Sequence, residues 1–200
     1  MKRILPVMVF LMLTACSAKP AIPAVTLPTA SGTMTFSAQT GTARTQSAVF
    51  LQTLWADFSQ SIPFDVFGGT DNRPVWDAPG DVDLGEVAQL QERYLIPQGY
   101  RHRLHSGASV THLMNPSVLT LVALQLEQPE EAKEFLRAWQ RTVQDHVWPC
   151  DSPQRLLVAS VQEQMVMAYG RSDVMEDLRK SLVKVYPAAQ IQCYGSLQVP

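Results

Sequence analysis

The second half of the chain carries the patterns that most constrain its fold. Residues 118–126 form a short and nearly continuous apolar run, which predicts a strand buried on both faces. Pro129 opens a predicted helix, in which Glu130 and Glu131 place negative charge at the positive end of the helix dipole. Pro149 is expected to stop this helix. Its apolar stripe is predicted to be Ala132, Leu136, Trp139, Val143 and Val147.

A hairpin and a second helix follow. Residues 156–161 and 165–169 are apolar runs separated by three polar residues, a spacing typical of a β-hairpin. Ser172 is expected to cap the next helix, and residues 189–194 are predicted to form a last strand. The resulting order β-α-β-β-α-β is the split βαβ pattern of ferredoxin-like domains. We therefore predict an α+β fold in which a small sheet carries helices on one face.

The region before this core is predicted to add helices and loops to the same domain. Apolar residues at helical spacing run through residues 47–61, and Pro63 ends that helix. Residues 64–85 are rich in Gly, Pro, Asp and Asn, which favours loop structure. A second helix is predicted for residues 86–94 and a weak strand for residues 100–104. We therefore assign residues 47–117 to N-terminal helices and loops, and 118–200 to the α+β core.

The first sixteen residues have the layout of an export signal. Lys2 and Arg3 precede an apolar run at 4–13, which is too short to span a bilayer because a spanning helix takes about 20 residues. Small residues then lead to Cys16. Residues 1–15 are therefore predicted to be a signal peptide that is removed by cleavage between Ala15 and Cys16.

Leu13-Thr14-Ala15-Cys16 resembles the bacterial lipobox, in which a signal peptidase cuts before a lipid-modified cysteine. The resemblance implies that Cys16 is lipidated and that more than one acyl chain holds the protein stably on a membrane, outside the cytoplasm. A simple secretory signal with an incidental cysteine is the alternative. Residues 16–46 would then form the lipid anchor and a disordered tether, because Pro, Ala, Thr, Ser and Gly bury too little apolar surface to fold.

Charge and cysteine content limit the remaining classes. Loss of Lys2 and Arg3 leaves 14 basic residues against 18 acidic ones, a net charge near −4, which gives no basic footprint for nucleic acid. Cys150 and Cys193 could form a disulfide in an exported protein or remain thiols. A ferredoxin-like sheet would put the strands next to them at opposite edges, whereas a disulfide needs Cα atoms within about 7 Å. The predicted fold therefore permits this bond without requiring it.

Two groups of side chains were considered as metal ligands. Acidic residues crowd one predicted loop, where they suit either calcium or, as the favoured interpretation, solvated turns, because their spacing does not match an EF-hand. These residues are Asp71, Asp77, Asp81, Asp83 and Glu86. His102, His105 and His112 could suggest zinc, but alternation along a strand would put His102 and His105 on opposite faces. We predict no metal site and no cofactor.

Catalytic motifs do not emerge from the sequence. It contains no Gly-x-Ser-x-Gly elbow, and Gly68-Gly69 lacks the lysine of a phosphate-binding loop. Trp139 and Trp148 occupy predicted helix positions and are expected to pack in the core or at its edge. No catalytic residue is therefore assigned.

Residues 119–186 are similar to an uncharacterised domain found in lipoproteins of Firmicutes. The similarity lies in Gln128-Pro129-Glu130-Glu131-Ala132 at the start of a helix that ends in Trp148, in the hairpin at 156–169, and in the helix that follows Asp173. Ser106-Gly107-Ala108 matches a short turn before the first strand. The resemblance implies an extracytoplasmic lipoprotein and supplies no catalytic residues.

These observations favour a non-catalytic protein that is held to the membrane through Cys16 and binds an envelope protein or a glycan. A tether of about thirty residues would let the domain reach tens of ångströms from the membrane. The alternative is an extracytoplasmic small-ligand-binding protein or hydrolase, with a pocket between the sheet and the N-terminal helices.

Overall fold

The computed structural model describes residues 44–149 and 151–197. The predicted signal peptide, its cleavage site at Ala15 and Cys16, almost all of the predicted tether, and Cys150 lie outside the described residues. The main elements are α1 (Gln46–Phe58), β1 (Val66–Thr70), β2 (Arg73–Trp76), β3 (Gly80–Asp81), β4 (Leu104–His112), β5 (Leu119–Leu126), α2 (Ala132–Gln144), β6 (Arg155–Val161), β7 (Gln164–Gly170), α3 (Ser172–Val185) and β8 (Gln190–Ser196).

Within the described residues, the strands form an eight-stranded antiparallel sheet in the order β2-β1-β4-β5-β7-β6-β8, and β3 pairs separately with β4. Every residue of β5 is buried, because β5 lies between β4 and β7 and both of its faces are covered. This confirms the buried strand predicted from its apolar run. The predicted hairpin is also confirmed: β6 and β7 pair through Val161 and Gln164, and Gln162 begins the turn with φ 53°.

Helices cover both faces of the sheet. On one face, α1 and α3 bury Leu51, Leu54 and Leu178 against alternate residues of the central strands. On the other face, α2 buries Phe135 and Trp139 in a second apolar cluster. The mixed α+β class is therefore as predicted, but the expectation that the helices share one face is wrong.

The position of β8 explains why the helices are on opposite faces. A ferredoxin-like sheet would place this strand beside β5, whereas here β4 occupies that position and β8 pairs with β6. The connections β5-α2-β6 and β7-α3-β8 thus advance in the same direction across the sheet, but their strands point in opposite directions. Because such crossovers are right-handed, α2 and α3 must lie on opposite faces. The expected ferredoxin-like placement of the last strand is therefore wrong.

The predicted loop at 64–85 contains β1, β2 and β3, and that prediction is wrong. Its glycines allow backbones to come together: a Cβ on Gly68 would lie 2.2 Å from the backbone nitrogen of Gly80. Gly69 has φ 79°, a conformation that favours glycine. Glycine here serves strands that approach closely, although its usual role in sequence patterns is to mark turns.

Residues 98–104 also depart from expectation. Gln98–Arg103 is a 3-10 helix, and a long strand, β4, begins only at Leu104. Ser106-Gly107-Ala108 lies inside this strand, so the turn expected there is wrong. Small residues have weak β-propensity, and β4 is set by its pairing with β1 and β5 rather than by its own composition.

The predicted helices are present with corrected ends. The first is confirmed as α1, which Thr45 caps by accepting a hydrogen bond from the backbone of Ala48. The helix α2 ends at Gln144, so Trp148 lies beyond it and Val147 is 80% exposed rather than part of an apolar stripe. Ser172 is the first residue of α3, and the preceding residue, Arg171, has no side-chain capping bond. Within residues 44–149 and 151–197, no helix has the length and apolar character needed to cross a membrane.

Candidate functional site

A cleft of about 720 Å³ opens at one end of the sheet, on the face covered by α2. Three stretches of chain provide its walls: residues 86–93, the β4–β5 loop at 114–117, and residues 146–151, of which Cys150 is not described. Tyr169, at the end of β7, contributes its inner surface. Small-molecule sites commonly enclose about 300–1,000 Å³, so the cleft has the size of a ligand pocket.

The first wall is an irregular helical segment. Gln89–Arg93 forms a π-helical turn. Leu95, which follows it, is only 3% exposed and has φ 53°. Such turns, and bulky residues held in this left-handed conformation, concentrate at functional sites because other contacts must hold them there. The geometry of this wall is thus imposed by its surroundings.

Two aromatic side chains hold the end of this segment. The hydroxyl of Tyr169 donates to the carbonyl oxygen of Arg93 at 2.7 Å, and Trp139 Nε1 donates to the carbonyl oxygen of Tyr94 at 2.8 Å. Carbonyl groups at the end of a helical turn lack partners within the helix, and here the sheet and α2 supply them. The wall is therefore tied to the core of the domain.

Tyr94 and Tyr169 act only as neutral hydrogen-bonding groups. Burial raises the pKa of Tyr94 to about 12 and raises the pKa of Tyr169 further above its ordinary range. The Tyr94 hydroxyl donates to the carbonyl oxygen of Gly69 at 2.8 Å. Neither phenol can serve as a base at neutral pH, and both have structural partners.

The second wall is a loop that His112 organises. Its Nδ1 accepts hydrogen bonds from the backbone nitrogens of Met114 and Asn115, each at 3.0 Å. Desolvation lowers the pKa of His112, and the positive charge of Arg171 lowers it further. A neutral His112 is therefore the form that holds the loop.

The second wall is joined to the third. Ser117 Oγ donates to the carbonyl oxygen of Asp151 at 2.6 Å, and Asn115 Nδ2 donates to Asp151 Oδ2 at 3.1 Å. Asn115 Oδ1 accepts from the backbone nitrogen of Ser117 at 2.9 Å, closing a local turn. These bonds fix two loops that are more than thirty residues apart in sequence.

An aromatic and apolar surface borders the same walls. The Trp148 ring packs edge-on against Tyr169 at 5.1 Å and against His146 at 4.6 Å between centroids. Met114, in the cleft lining, is 82% exposed, and Val147 beside Trp148 is similarly exposed. The cleft therefore offers apolar contact as well as polar groups.

The charged groups of the cleft are mostly acidic. Arg93 Nη1 lies 2.7 Å from Asp71 Oδ1, so these two charges offset one another. Glu86, Glu92 and Asp151 also line the cleft, and none of them forms an ion pair with any described residue. The walls thus carry an excess of negative charge.

Gln89 adds a buried polar side chain whose carbonyl oxygen lacks a hydrogen-bond donor within the described part of the chain. Its side chain lines the cleft and is 6% exposed, and its Nε2 faces the carbonyl oxygen of Gly69 at 3.4 Å. Its carbonyl oxygen, Oε1, has no hydrogen-bond donor among the described residues. A buried acceptor without a donor costs about 1–3 kcal/mol, so a water or a ligand that donates to Oε1 would be stabilising.

The acidic residues considered as calcium ligands are dispersed. Asp71 and Glu86 line the cleft, whereas Asp81 accepts from Thr45 at the start of α1 and Asp83 accepts from the backbone of Gly85 at 2.9 Å. Asp77 occupies a turn with φ 53°. Among the described residues, no group of three or more His, Cys, Asp or Glu side chains is arranged to hold a metal ion.

The histidines and cysteines are also separated. His102 belongs to a 3-10 helix, His105 is exposed on β4, and only His112 is engaged in the loop described above. Cys193 lies on β8 opposite Val158, and burial raises the pKa of its thiol. Cys150 lies outside the described residues, so the two alternatives for Cys150 and Cys193, a disulfide or two thiols, stay as the sequence leaves them.

Most residues of the cleft could not be recognised from the sequence. Gln89, Arg93 and Asp151 belong to no motif, and they line one cleft at the edge where β4 and β7 end and β5 begins. The run Asn115-Pro116-Ser117 did carry a turn signal, as did the prolines at 149 and 153. Those signals mark loops but do not show that the loops converge.

The fold and the cleft define a class: an α+β sheet protein with helices on both faces and a pocket of ligand size. Comparisons with protein-family models, curated proteins and solved structures find no match to this chain. The cleft and the N-terminal sequence are therefore the features of this chain that bear on function.

Proposed function

We propose that the protein is a lipid-anchored, extracytoplasmic binding protein that holds a small molecule in the cleft without converting it. The anchor part of the proposal rests on the charged start, the short apolar run and the four residues that end in Cys16. The binding part rests on the cleft. A small ligand is thereby preferred over the protein or glycan partner that the sequence alone favoured.

The observation that carries the binding proposal is the segment at 86–95. It combines a π-helical turn and the partnerless Gln89 oxygen in one wall of the cleft with the left-handed Leu95, which is buried directly after that wall. Each feature costs stability, and strain of this kind persists where the surrounding structure holds it for a purpose. Ligand binding would give that arrangement its function.

The polar groups support binding more than catalysis. The Ser117 hydroxyl donates to the Asp151 carbonyl and is not directed to a base. Across the ranges 44–149 and 151–197, no serine hydroxyl forms a hydrogen bond with a histidine nitrogen, the pairing that activates a serine nucleophile. The cleft supplies acceptors, the Arg93 guanidinium and apolar surface, which suit recognition.

Thermal unfolding with a panel of small molecules tests the binding proposal. The mature chain would be scanned with amino acids, polyamines, sugars and organic acids, because a ligand that binds only the folded state raises Tm. Ala88→Trp places a large ring in the cleft lining, and Val183→Trp places one on the exposed side of α3 as the matched control. We expect a Tm increase in wild type and in Val183→Trp that Ala88→Trp abolishes.

An increase that persists in Ala88→Trp would move the binding site elsewhere. No increase with any class of compound would count against the binding proposal itself. Circular dichroism of the Ala88→Trp variant shows whether its fold is retained, and Ala88→Arg provides a second obstruction at the same exposed position.

Cell fractionation tests the anchor. The Cys16→Ser variant should leave the membrane fraction, because the serine cannot take the thioether-linked lipid, and the released protein should keep the wild-type Tm. Full retention of the Cys16→Ser variant on the membrane would show that the lipidation proposal is wrong.

A further inference from the structure

The chemistry of the cleft walls narrows the class of ligand. Asp71 is offset by Arg93, whereas Glu86, Glu92 and Asp151 have no cationic partner among the described residues. Asp151 does accept one hydrogen bond from Asn115. A concave site with walls of one charge sign concentrates the opposite charge, so this cleft favours a cation.

The second requirement comes from Gln89. Its amide nitrogen is directed to the Gly69 carbonyl, which leaves Oε1 as an acceptor without a donor at the wall of the cleft. Oε1 is buried, but the last side-chain torsion of glutamine is broad, so a rotation that gives up the 3.4 Å contact of Nε2 with the Gly69 carbonyl can turn this oxygen to a bound group. The ligand should therefore carry an N–H donor in addition to positive charge.

The third expected property of the ligand is a carbon skeleton. Trp148 and Met114 provide aromatic and apolar surface, which a hydrated inorganic ion would not use. No arrangement of metal-ligating side chains exists among the described residues. Apolar surface beside acidic groups matches a molecule in which carbon atoms separate protonated nitrogens.

We propose that the cleft binds a small protonated amine, whose charge is met by Glu86, Glu92 and Asp151 and whose N–H groups donate to Gln89 Oε1. This inference rests on the proposed binding function and gives its ligand class. Trp148 contacts the carbon skeleton of the amine, and an exposed cation near its ring adds about 0.5–1 kcal/mol of attraction.

Isothermal titration calorimetry with four probes tests the ligand class. Spermidine and arginine carry positive charge and N–H donors, choline carries positive charge without an N–H donor, and succinate carries negative charge. We expect spermidine or arginine to bind, choline to bind at least about tenfold more weakly, as expected for the loss of a charged hydrogen bond, and succinate not to bind.

Two variants separate the parts of the site. Glu92→Gln with Asp151→Asn removes two of the acidic groups, and Glu127→Gln with Asp177→Asn removes two acidic charges outside the cleft lining as the control. The first pair should weaken amine binding at least about tenfold, and the control pair should change it less than about twofold.

Gln89→Leu provides a readout that a purely structural role would not give. It removes the partnerless acceptor, so Tm should stay the same or rise, while affinity for spermidine or arginine should fall at least about tenfold. A lower Tm with unchanged affinity would show that Gln89 is structural and would overturn its role in binding.

The outcomes distinguish this inference from the function on which it rests. If succinate or a neutral sugar binds and Ala88→Trp abolishes that binding, the cleft is a ligand site and the amine inference is wrong. If choline binds as well as spermidine, the N–H requirement is wrong. If no compound binds in a manner sensitive to Ala88→Trp, both the inference and the proposed binding function fail.

Discussion

The two faces of the sheet are covered in different ways. On one face, the regular helices α1 and α3 pack side by side, joined by Lys184 with Asp57 and by stacking of Phe50 on Tyr186 at 4.5 Å between ring centroids. On the other face, α2 covers only part of the sheet, and a π-helical turn with two loops completes the layer. The cleft lies on this second, irregular face.

The difference shows how one domain combines a stable frame with a recognition surface. Regular helices satisfy their own backbone groups and pack their apolar sides on the sheet. Irregular segments need partners from outside, and here Tyr169, Trp139 and His112 supply them. Polar groups therefore converge on the face where the covering layer is not a regular helix.

The largest effect is expected from Trp139→Ala on the cleft face. Trp139 is fully buried, packs on Phe135 and bonds to the carbonyl oxygen of Tyr94. Its truncation should lower the free energy of unfolding by about 3–5 kcal/mol and weaken ligand binding, because the segment at 86–95 loses its support. Urea unfolding and calorimetry measure both quantities. A loss below about 1 kcal/mol would contradict this account of the packing.

Leu178→Ala tests the opposite face. Leu178 is fully buried between α3 and the sheet, far in the fold from the residues that line the cleft. We expect a loss of about 3 kcal/mol in the free energy of unfolding with no change in ligand affinity of the folded protein. An affinity loss equal to that of Trp139→Ala would remove the functional contrast between the faces.

Acidification should act through His112, which holds the cleft loop at 114–117 by accepting from the backbone nitrogens of Met114 and Asn115. Its pKa is lowered in the folded protein, so the unfolded chain takes up the proton first. Stability should be complete above the ordinary pKa of about 6.5 and should fall as the pH drops through that value towards the lowered one. Thermal unfolding at a series of pH values from about 7.5 to about 5 measures this effect.

His112→Asn is the matched variant, because its side-chain oxygen can accept from the same loop while carrying no titrating group. The stability loss in this pH window should disappear in His112→Asn. A steeper loss at lower pH is expected in both proteins, since ion pairs and hydrogen bonds lower the pKa of Asp173 and bring that of Glu176 to about 2. If wild type and His112→Asn lose the same stability near about pH 6, where protonation of His112 should begin to act, His112 does not control the loop.

The smallest effect is expected at a position outside both layers. Gln162 adopts φ 53° in the exposed turn of the β6–β7 hairpin, at the end of β7 away from Tyr169. Gln162→Gly removes the strain of this backbone conformation but makes the unfolded chain more flexible. We therefore expect a net gain of about 0.5 kcal/mol in the free energy of unfolding. Ligand affinity should not change. A drop in Tm would show that the Gln162 side chain makes a contribution that its backbone angle does not reveal.

The elements that could be predicted were those whose own side chains determine them. The apolar run of β5, the β6–β7 hairpin and the apolar face of α1 are predicted correctly because their patterns reflect burial. The strands β1 and β4 escaped prediction because Gly68, Gly69 and the small residues of Ser106-Gly107-Ala108 resemble a turn in one dimension. Their strand structure comes from neighbouring backbones.

The placement of α2 and α3 on opposite faces depends on a choice that element order leaves open. The order β-α-β-β-α-β fits a last strand beside either β5 or β6, and only the pairing of β8 decides between them. The cleft was harder still to predict, because Gln89, Ser117 and Asp151 converge only after the strand order is set. Their positions in the sequence carry no periodic signal.

Nuclear magnetic resonance of the four tryptophan indoles tests the central claim most directly. Trp148 lines the cleft, and Trp55 lies on the α1 face with its Nε1 donating to the Asp77 carbonyl. In a spermidine titration of the mature chain, the Trp148 indole signal should shift and saturate while the Trp55 signal stays in place. A shift of Trp55 without one of Trp148, or no shift in either, would contradict a ligand site on the irregular face.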